Sequence, residues 1–304
     1  MAAESTAGPT VPRRQLGRHL RALRNQAKLT TRLAAQALEW SEPKLWRIET
    51  GQNVLRSLDV EAMCRVYGAS AEVTQGLMLL ARESRTVGWW HVHDDVIPDW
   101  LDLYLGLEEA ASWLQRYDPG LVPGLLQTAA YARAVISAER PDLGADAVTR
   151  RVQARVSRQA LLVRVTAPLT AEVLLGEAAL RRPVGGPQVM AEQLDQLADA
   201  AMLPTVSIRV VPLRAGLHRG VLSGPFVLLR FPANGDGQDS EPPVVYVPGF
   251  TGALYLEQTD EIRRYREVYL DIAAAALDEA VSRTLIRQAA QEYAARPAGT
   301  DAAP

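Results

Sequence analysis

Cationic and hydroxyl side chains that could bind a polyanion lie close together near the N-terminus of the chain. Residues 1–56 hold ten Lys/Arg and four Glu, a net charge of +6, whereas the remaining residues have a net charge of −8. Guanidinium and ammonium groups neutralise phosphates and can also bond base edges. A basic segment followed by an acidic one therefore suggests a polyanion-binding head on a body with another task.

Ten residues of this segment are our candidates for contact with double-stranded DNA: Arg13, Arg14, Arg18, Thr31, Arg32, Ser41, Glu42, Lys44, Trp46 and Arg47. We expect the five arginines among them to contact phosphates. Lys44, Trp46 and Arg47 are expected to approach base edges, with Glu42 beside them. Thr31 and Ser41 either bond phosphate or cap helices. For the arginines of residues 13–28 taken alone, a solvated helix face is an equally good interpretation.

Two other groups of residues invite a chemical interpretation. His91 and His93 beside Asp94 and Asp95 could bind a metal, but no second His/Cys cluster accompanies them. A polar linker with tryptophan anchors is therefore favoured over a metal site. Cys64, the single cysteine, excludes a disulfide framework, and its place on an apolar stripe predicts a core thiol.

The larger, acidic part of the chain carries no motif of a known reaction. The sequence contains no Gly-x-Gly-x-x-Gly, phosphate loop or nucleophile elbow. Glu177 beside Arg181 and Arg182 could hold an anion or form the ion pairs of one helix, and ion pairs are favoured. We expect no catalytic residue, no cofactor and no metal, and the chain is not expected to be an enzyme.

Short helices must position the ten candidates. Apolar residues at 16, 20, 23 and 27 predict a first helix, and a threonine of 30–31 can cap a second, which runs to about Leu38. Ser41 caps a third helix with Leu45 and Ile48 inward, and Gly51 ends it as a left-handed residue. Trp46 and Arg47 then point outward. Two short helices that pack together across a tight turn form a helix-turn-helix motif, which inserts one of its helices into a major groove.

Two further helices, from Ser57 to Gly68 and from Ser70 to Leu80, complete a five-helix bundle. The stretches 29–38 and 40–51, above all Lys-Leu-x-Arg-Ile-Glu-Thr-Gly at 44–51, resemble the XRE family of lambda-repressor-like helix-turn-helix regulators. Thr31 stands where that family often has Gln, and Pro43 and Trp46 replace small polar residues. For Trp46 three roles stay open: stacking on a sugar, touching a thymine methyl, or packing on a partner.

The rest of the chain predicts an α+β domain with a mostly antiparallel sheet. Helices are expected at 100–117, 129–136, 144–162, 187–202, 260–277 and 278–294, and strands at 171–175, 206–211, 225–231, 244–247 and 253–257. The runs 122–128 (Val-Pro-Gly-Leu-Leu-Gln-Thr) and 176–186 resemble an uncharacterised C-terminal domain of actinobacterial XRE-type regulators. That resemblance implies an antitoxin-like protein, often encoded beside a small partner, and carries no catalytic residues.

The predicted organisation is a flexible arm (1–12), a helix-turn-helix domain (13–84), a linker (85–99), a regulatory α+β domain (100–294) and a disordered tail (295–304). With no apolar run of 18 residues and no apolar leader, a cytoplasmic, nucleoid-associated protein is expected. We expect a homodimeric transcription regulator whose larger part senses an unknown effector or a small partner. An antitoxin-like protein that sequesters such a partner, and more weakly a DNA-tethered enzyme, are the alternatives.

Overall fold

A computed structural model describes residues 10–84, 99–233, 239 and 241–296 of the chain. These residues form two compact units, one of residues 10–84 with 99–110 and the other from residue 111 onward. The first unit is helical and the second combines helices with a six-stranded sheet. The predicted fold class is confirmed. No helix of the described ranges is both long and apolar enough to cross a bilayer.

The helical unit consists of α1 (Thr10–Gln26), α2 (Thr31–Ala37), α3 (Glu42–Glu49), α4 (Ser57–Tyr67), α5 (Ala71–Glu83) and α6 (Asp99–Ala110). The apolar stripes predicted for α1 and α3 meet in one core with α4, so Leu20, Leu45 and Met63 are fully buried. Cys64 lies in the same core, as predicted, and burial raises the pKa of its thiol.

Three predicted boundaries of this region differ from the structure. Helix α1 begins at Thr10, so residues 10–12 are helical and do not belong to a flexible arm. The helix predicted from 100 to 117 ends at Ala110. Residues 99–110 pack with the first unit, and this moves the boundary between units from 100 to 111. The predicted linker at 85–98, the arm at 1–9 and the tail at 297–304 lie outside the described residues.

The second unit is built on a sheet whose strands are β1 (Trp113–Asp118), β2 (Thr170–Gly176), β3 (Val206–Val211), β4 (Phe226–Arg230), β5 (Val244–Gly249) and β6 (Gly252–Leu256). Their order is β3-β2-β1-β4-β5-β6. Pairs β1–β2 and β2–β3 are parallel, and the other three pairs are antiparallel. The five predicted strands are confirmed, whereas β1 replaces the end of a predicted helix. Leu114 and Tyr117, three positions apart, fit a helical stripe, and pairing on both edges of β1 overrides this local pattern.

The helices of the second unit are α7 (Ala129–Glu139), α8 (Ala145–Ser157), α9 (Ala160–Val163), α10 (Ala178–Arg181), α11 (Pro187–Ala200), α12 (Arg219–Ser223), α13 (Thr259–Ala275) and α14 (Glu279–Ala294). The single helix predicted for 144–162 is divided into α8 and α9. The junction of α13 and α14 covers the outer edge of β3, where the amide of Leu277 donates to the carbonyl of Val210 at 2.8 Å. Arg209 also donates to the carbonyls of Ala273 and Leu277.

Candidate nucleic-acid interface

Side-chain caps fix the tight turn between α2 and α3. The hydroxyl of Thr30 accepts from the amide of Leu33 at 3.2 Å, and the hydroxyl of Ser41 accepts from the amide of Lys44 at 3.3 Å. Each cap satisfies an amide that would otherwise lack a partner at the start of a helix. Ser41 is therefore a helix cap, and Thr30 rather than Thr31 is the capping threonine.

Helix α3 buries one face and exposes the other. Leu45 and Ile48 are completely or almost completely buried, three positions apart on the inner face. Trp46, by contrast, is 55% exposed, and Arg47 is exposed beside it. The side chain of Arg47 donates to the carbonyl of Pro43 at 3.3 Å, one turn earlier on the same helix. This face presents an aromatic ring and a guanidinium group to solvent.

A buried ion pair fixes α3 against α1. The Arg24 guanidinium donates to both carboxylate oxygens of Glu49, with Nε–Oε1 2.6 Å and Nη2–Oε2 2.8 Å. Its third nitrogen donates to the carbonyl of Leu29 at 2.8 Å and so fixes the connection to α2 as well. Two-pronged pairing of this kind sets orientation as well as energy. One side chain therefore holds all three helices of the interface.

Close backbone packing supports the same orientation. A Cβ at Gly17 on α1 would lie 2.6 Å from the carbonyl oxygen of Ile48, so α1 can approach α3 only where a side chain is missing. Just past α3, Gly51 has φ +74° and its Cβ would lie 2.6 Å from Cγ of Arg14. The predicted left-handed end of α3 at Gly51 is confirmed.

Two of the predicted phosphate contacts are wrong. Arg13 and Arg14 are 5% and 2% exposed, so neither reaches a DNA phosphate from the surface of the unit. Arg13 lies 3.5 Å from the carboxylate of Asp102 on α6, and Arg14 packs against Gly51. Both side chains lie on the face of α1 that packs into the unit.

The other candidates remain at the surface to different degrees. Arg32, Ser41, Glu42, Trp46 and Arg47 are exposed, and Arg18, Thr31 and Lys44 are partly buried. The ammonium of Lys44 lies 3.8 Å from the centroid of the Trp40 ring, a cation–π contact that places it at the start of α3. The structure thus groups Lys44, Trp46 and Arg47 on one short helix.

Comparison with known families adds an independent assignment. Residues 15–77 match the model of a helix-turn-helix domain, and residues 101–288 match a domain of unknown function, DUF5753. The second match covers more than half of the 304 residues. The chain belongs to the DUF5753 family. No curated protein and no solved structure matches it. The helix-turn-helix match indicates a DNA-binding regulator, and the DUF5753 match carries no activity.

Sequence reasoning missed three features of the helix-turn-helix domain. The pairing of Arg24 with Glu49 has a signal, since Arg24 follows Leu20 by four positions and Glu49 follows Leu45 by four, so both share buried stripes. The stacking of Lys44 on Trp40 had no comparable signal. Arg56, exposed at the N-cap of α4, is a further cation of this domain that the candidate set omits.

The remaining chemical candidates give mixed results. In the DUF5753 part, Arg181 lies 3.5 Å from Glu177, which agrees with the favoured ion-pair interpretation for Arg181, and its second partner is Glu292 of α14 at 2.6 Å. The predicted group of His91, His93, Asp94 and Asp95 lies outside the described residues. Within the residues that are described, no three His, Cys, Asp or Glu side chains converge as metal ligands would.

Proposed function

We propose that the protein is a sequence-specific, homodimeric transcription regulator that inserts α3 into a major groove. The observation that carries this proposal is the outward face of α3, where Trp46 and Arg47 are exposed while the Arg24–Glu49 pair fixes the helix from behind. A rigid helix with an exposed guanidinium is suited to bidentate contact with guanine O6 and N7. A two-fold dimer would contact half-sites about one DNA turn apart.

The proposal divides the roles of the interface. Arg47, Lys44 and Trp46 approach base edges, and Arg18, Arg32 and Thr31 contact the phosphates on either side. The acidic α+β part senses a ligand or a protein partner and includes no catalytic step. The protein acts on chromosomal DNA in the cytoplasm.

The test is a comparison of Arg47→Ala with Arg65→Ala on the duplex that full-length protein enriches from a random-sequence library. Arg65 is a matched control, since it is exposed on α4 and pairs with Glu61 one turn earlier. We expect Arg47→Ala to weaken binding by about 1–3 kcal/mol in a gel-shift titration and to relax selectivity at one base position. Equal affinities for both variants would refute α3 as the recognition helix.

Partner binding is a second candidate function, and exposed apolar side chains of the α+β part favour it. Five large aliphatic side chains on or near α12 and α13 are each more than half exposed: Leu213, Leu217, Val221, Leu222 and Leu270. Exposed apolar surface of this kind is typical of protein interfaces. Copurification of the tagged protein with the product of a neighbouring short reading frame distinguishes an antitoxin-like role, and loss of that complex in Leu222→Ser would locate it.

A further inference from the structure

The exposed side of α3 has a large apolar group near its centre. Trp46 lies in the middle of this helix and is 55% exposed, and Pro43 and Arg47 are exposed on the same side. An indole is among the largest apolar side chains, so covering it removes a large area from water. A surface that binds a ligand is therefore expected to place an apolar group of that ligand against this ring.

The main chain that carries this ring is held firmly. Leu45 and Ile48, on the opposite side of α3, are buried in the core of the helical unit. The hydroxyl of Thr50 donates to the carbonyl of Trp46 at 2.8 Å, and the amide of Thr50 donates to the same carbonyl at 3.0 Å. The indole thus starts from a fixed point, which is the condition for selective contact with one group of a ligand.

The two cations closest to Trp46 along α3 have partners other than its indole. Nζ of Lys44 lies 3.8 Å from the centroid of the Trp40 ring, and Nε of Arg47 donates to the carbonyl of Pro43 at 3.3 Å. Both still place positive charge on the helix that carries the exposed ring. Positive charge suits a polyanion, whereas an apolar protein surface would have to desolvate these cations when it covered the indole.

The chemistry of the indole determines which part of a DNA major groove can cover it. Its ring has one N–H donor and no acceptor, so it cannot read the donor and acceptor pattern of a base pair as an amide or a guanidinium does. The only apolar group that the four base pairs present in this groove is the C5-methyl of thymine. Against any other base edge, the ring would cover polar atoms that it cannot bond, at a cost in free energy.

We propose that Trp46 is a specificity-determining residue that selects thymine by packing its indole against the C5-methyl group. This inference rests on the proposed insertion of α3 into a major groove, and it chooses one of the three roles that the sequence leaves open for Trp46. It assigns a T·A pair to each half-site of the operator. It also makes binding sensitive to cytosine methylation at that position, because 5-methylcytosine carries a methyl group on the same ring carbon.

The experiment pairs a protein variant with a change of one methyl group in the DNA, as in a double-mutant cycle. In the duplex that full-length protein enriches from a random-sequence library, each thymine is replaced in turn by deoxyuridine, which lacks only the methyl. We expect one position in each half-site at which this loss weakens binding by the parent about three- to tenfold, the value of one buried methyl. Trp46→Ala should bind the two duplexes with equal affinity.

Two further arms of the experiment supply the controls. Leu79→Ala removes an apolar side chain that is 59% exposed on α5, and it should discriminate between thymine and deoxyuridine as the parent does. At the sensitive position, the parent should bind a pair with 5-methylcytosine more tightly than one with cytosine. If Trp46→Ala does not fold, Trp46→Gln takes its place with the same expected result.

The outcomes separate this inference from the function on which it rests. If Arg47→Ala weakens binding but no deoxyuridine position distinguishes the parent from Trp46→Ala, the inference is overturned and the recognition helix stands. A loss of affinity in Trp46→Ala that is equal on the thymine and deoxyuridine duplexes indicates stacking on a sugar and overturns it as well. If no duplex is enriched, or if Arg47→Ala binds the enriched duplex as the parent does, the inference and the proposed function both fail.

Discussion

The arginines of the helical unit have different roles because some of their guanidinium groups are buried and others are exposed to solvent. Arg24 is buried against Glu49 and Arg13 is buried near Asp102, whereas Arg32 is exposed. A buried arginine with a carboxylate partner fixes the packing of helices, and an exposed one is available to a polyanion. The same residue type thus serves the fold on one face of the unit and the proposed function on the other.

Removing the charge of Glu49 should destabilise the helical unit strongly. In Glu49→Gln the Arg24 guanidinium stays buried without its anionic partner, and breaking such a pair costs about 3–5 kcal/mol. Urea unfolding of the full chain, followed by the fluorescence of its tryptophans, measures the effect. Glu42→Gln is the matched control, because Glu42 is exposed on the same helix and should change stability by less than about 0.5 kcal/mol. Equal midpoints for the two variants would contradict the structural role of the pair.

At the scale of single residues, the sequence predicts which side chains of α3 point outward, but it does not predict which arginines of α1 are buried. The spacing of Leu45 and Ile48 determines which side of a short helix is buried, and Trp46 and Arg47 follow from it. Arg13 and Arg14 could not be placed in this way, because part of what covers α1 is α6, almost 90 positions later in the chain. Local periodicity contains no information on such a partner.

At the scale of elements, the end of α3 depends on a glycine that serves two purposes. Gly51 adopts a left-handed conformation, which L side chains adopt at a cost, and its missing Cβ leaves room for Arg14. Gly68, at the C-cap of α4, has a similar φ of +71° but open space around it. Substitutions at the two positions therefore distinguish the cost of a left-handed backbone, which both share, from the cost of a steric clash, which only Gly51 has.

We expect Gly51→Ala to destabilise the protein more than Gly68→Ala. The second change should cost about 1–2 kcal/mol for the left-handed backbone alone, and the first should cost at least about 1 kcal/mol more because α1 must shift. Thermal and urea unfolding of both variants measure the difference. Equal losses of stability in the two variants would mean that the Arg14 side chain moves away from the added methyl group at no cost.

Elements with strong local signals are predictable from this sequence, and elements defined by distant partners are not. Strands β2 to β6 have alternating or continuous apolar runs that end at turn residues, so their positions agree with the prediction. Strand β1 has apolar residues that also fit a helix, and only its pairing with β2 and β4 decides between the two. The division of α8 from α9 likewise has no clear mark in the sequence.

At the scale of the whole molecule, charge is separated along the chain. A protein of net charge −2 would not be expected to bind a polyanion, but residues 1–56 have a net charge of +6. Counterion release depends on the cations that touch phosphate and not on the total charge.

Salt dependence should report these contacts directly. The double variant Arg18→Ala/Arg32→Ala is expected to lower the slope of log K against log salt by about 2, because each lost phosphate contact contributes about 0.9. Gel shifts on the enriched duplex between 50 and 200 mM salt (about the range over which the slope is linear) measure it. Arg65→Ala should leave the slope unchanged, and an unchanged slope in the double variant would remove both residues from the interface.

The central position of β1 has a consequence for how the protein is made. The amide of Ser112, just before β1, donates to the carbonyl of Arg230 at 2.9 Å, and 118 positions separate the two residues. Since synthesis runs from the N-terminus, this strand leaves the ribosome long before its neighbour β4 exists, whereas α1 to α5 have nearby partners and can fold at once. During that interval the edge of β1 that later pairs with β4 is open, although β2 can already pair with its other edge. Slow translation or a missing chaperone should therefore produce aggregates of the second unit while the first is already native.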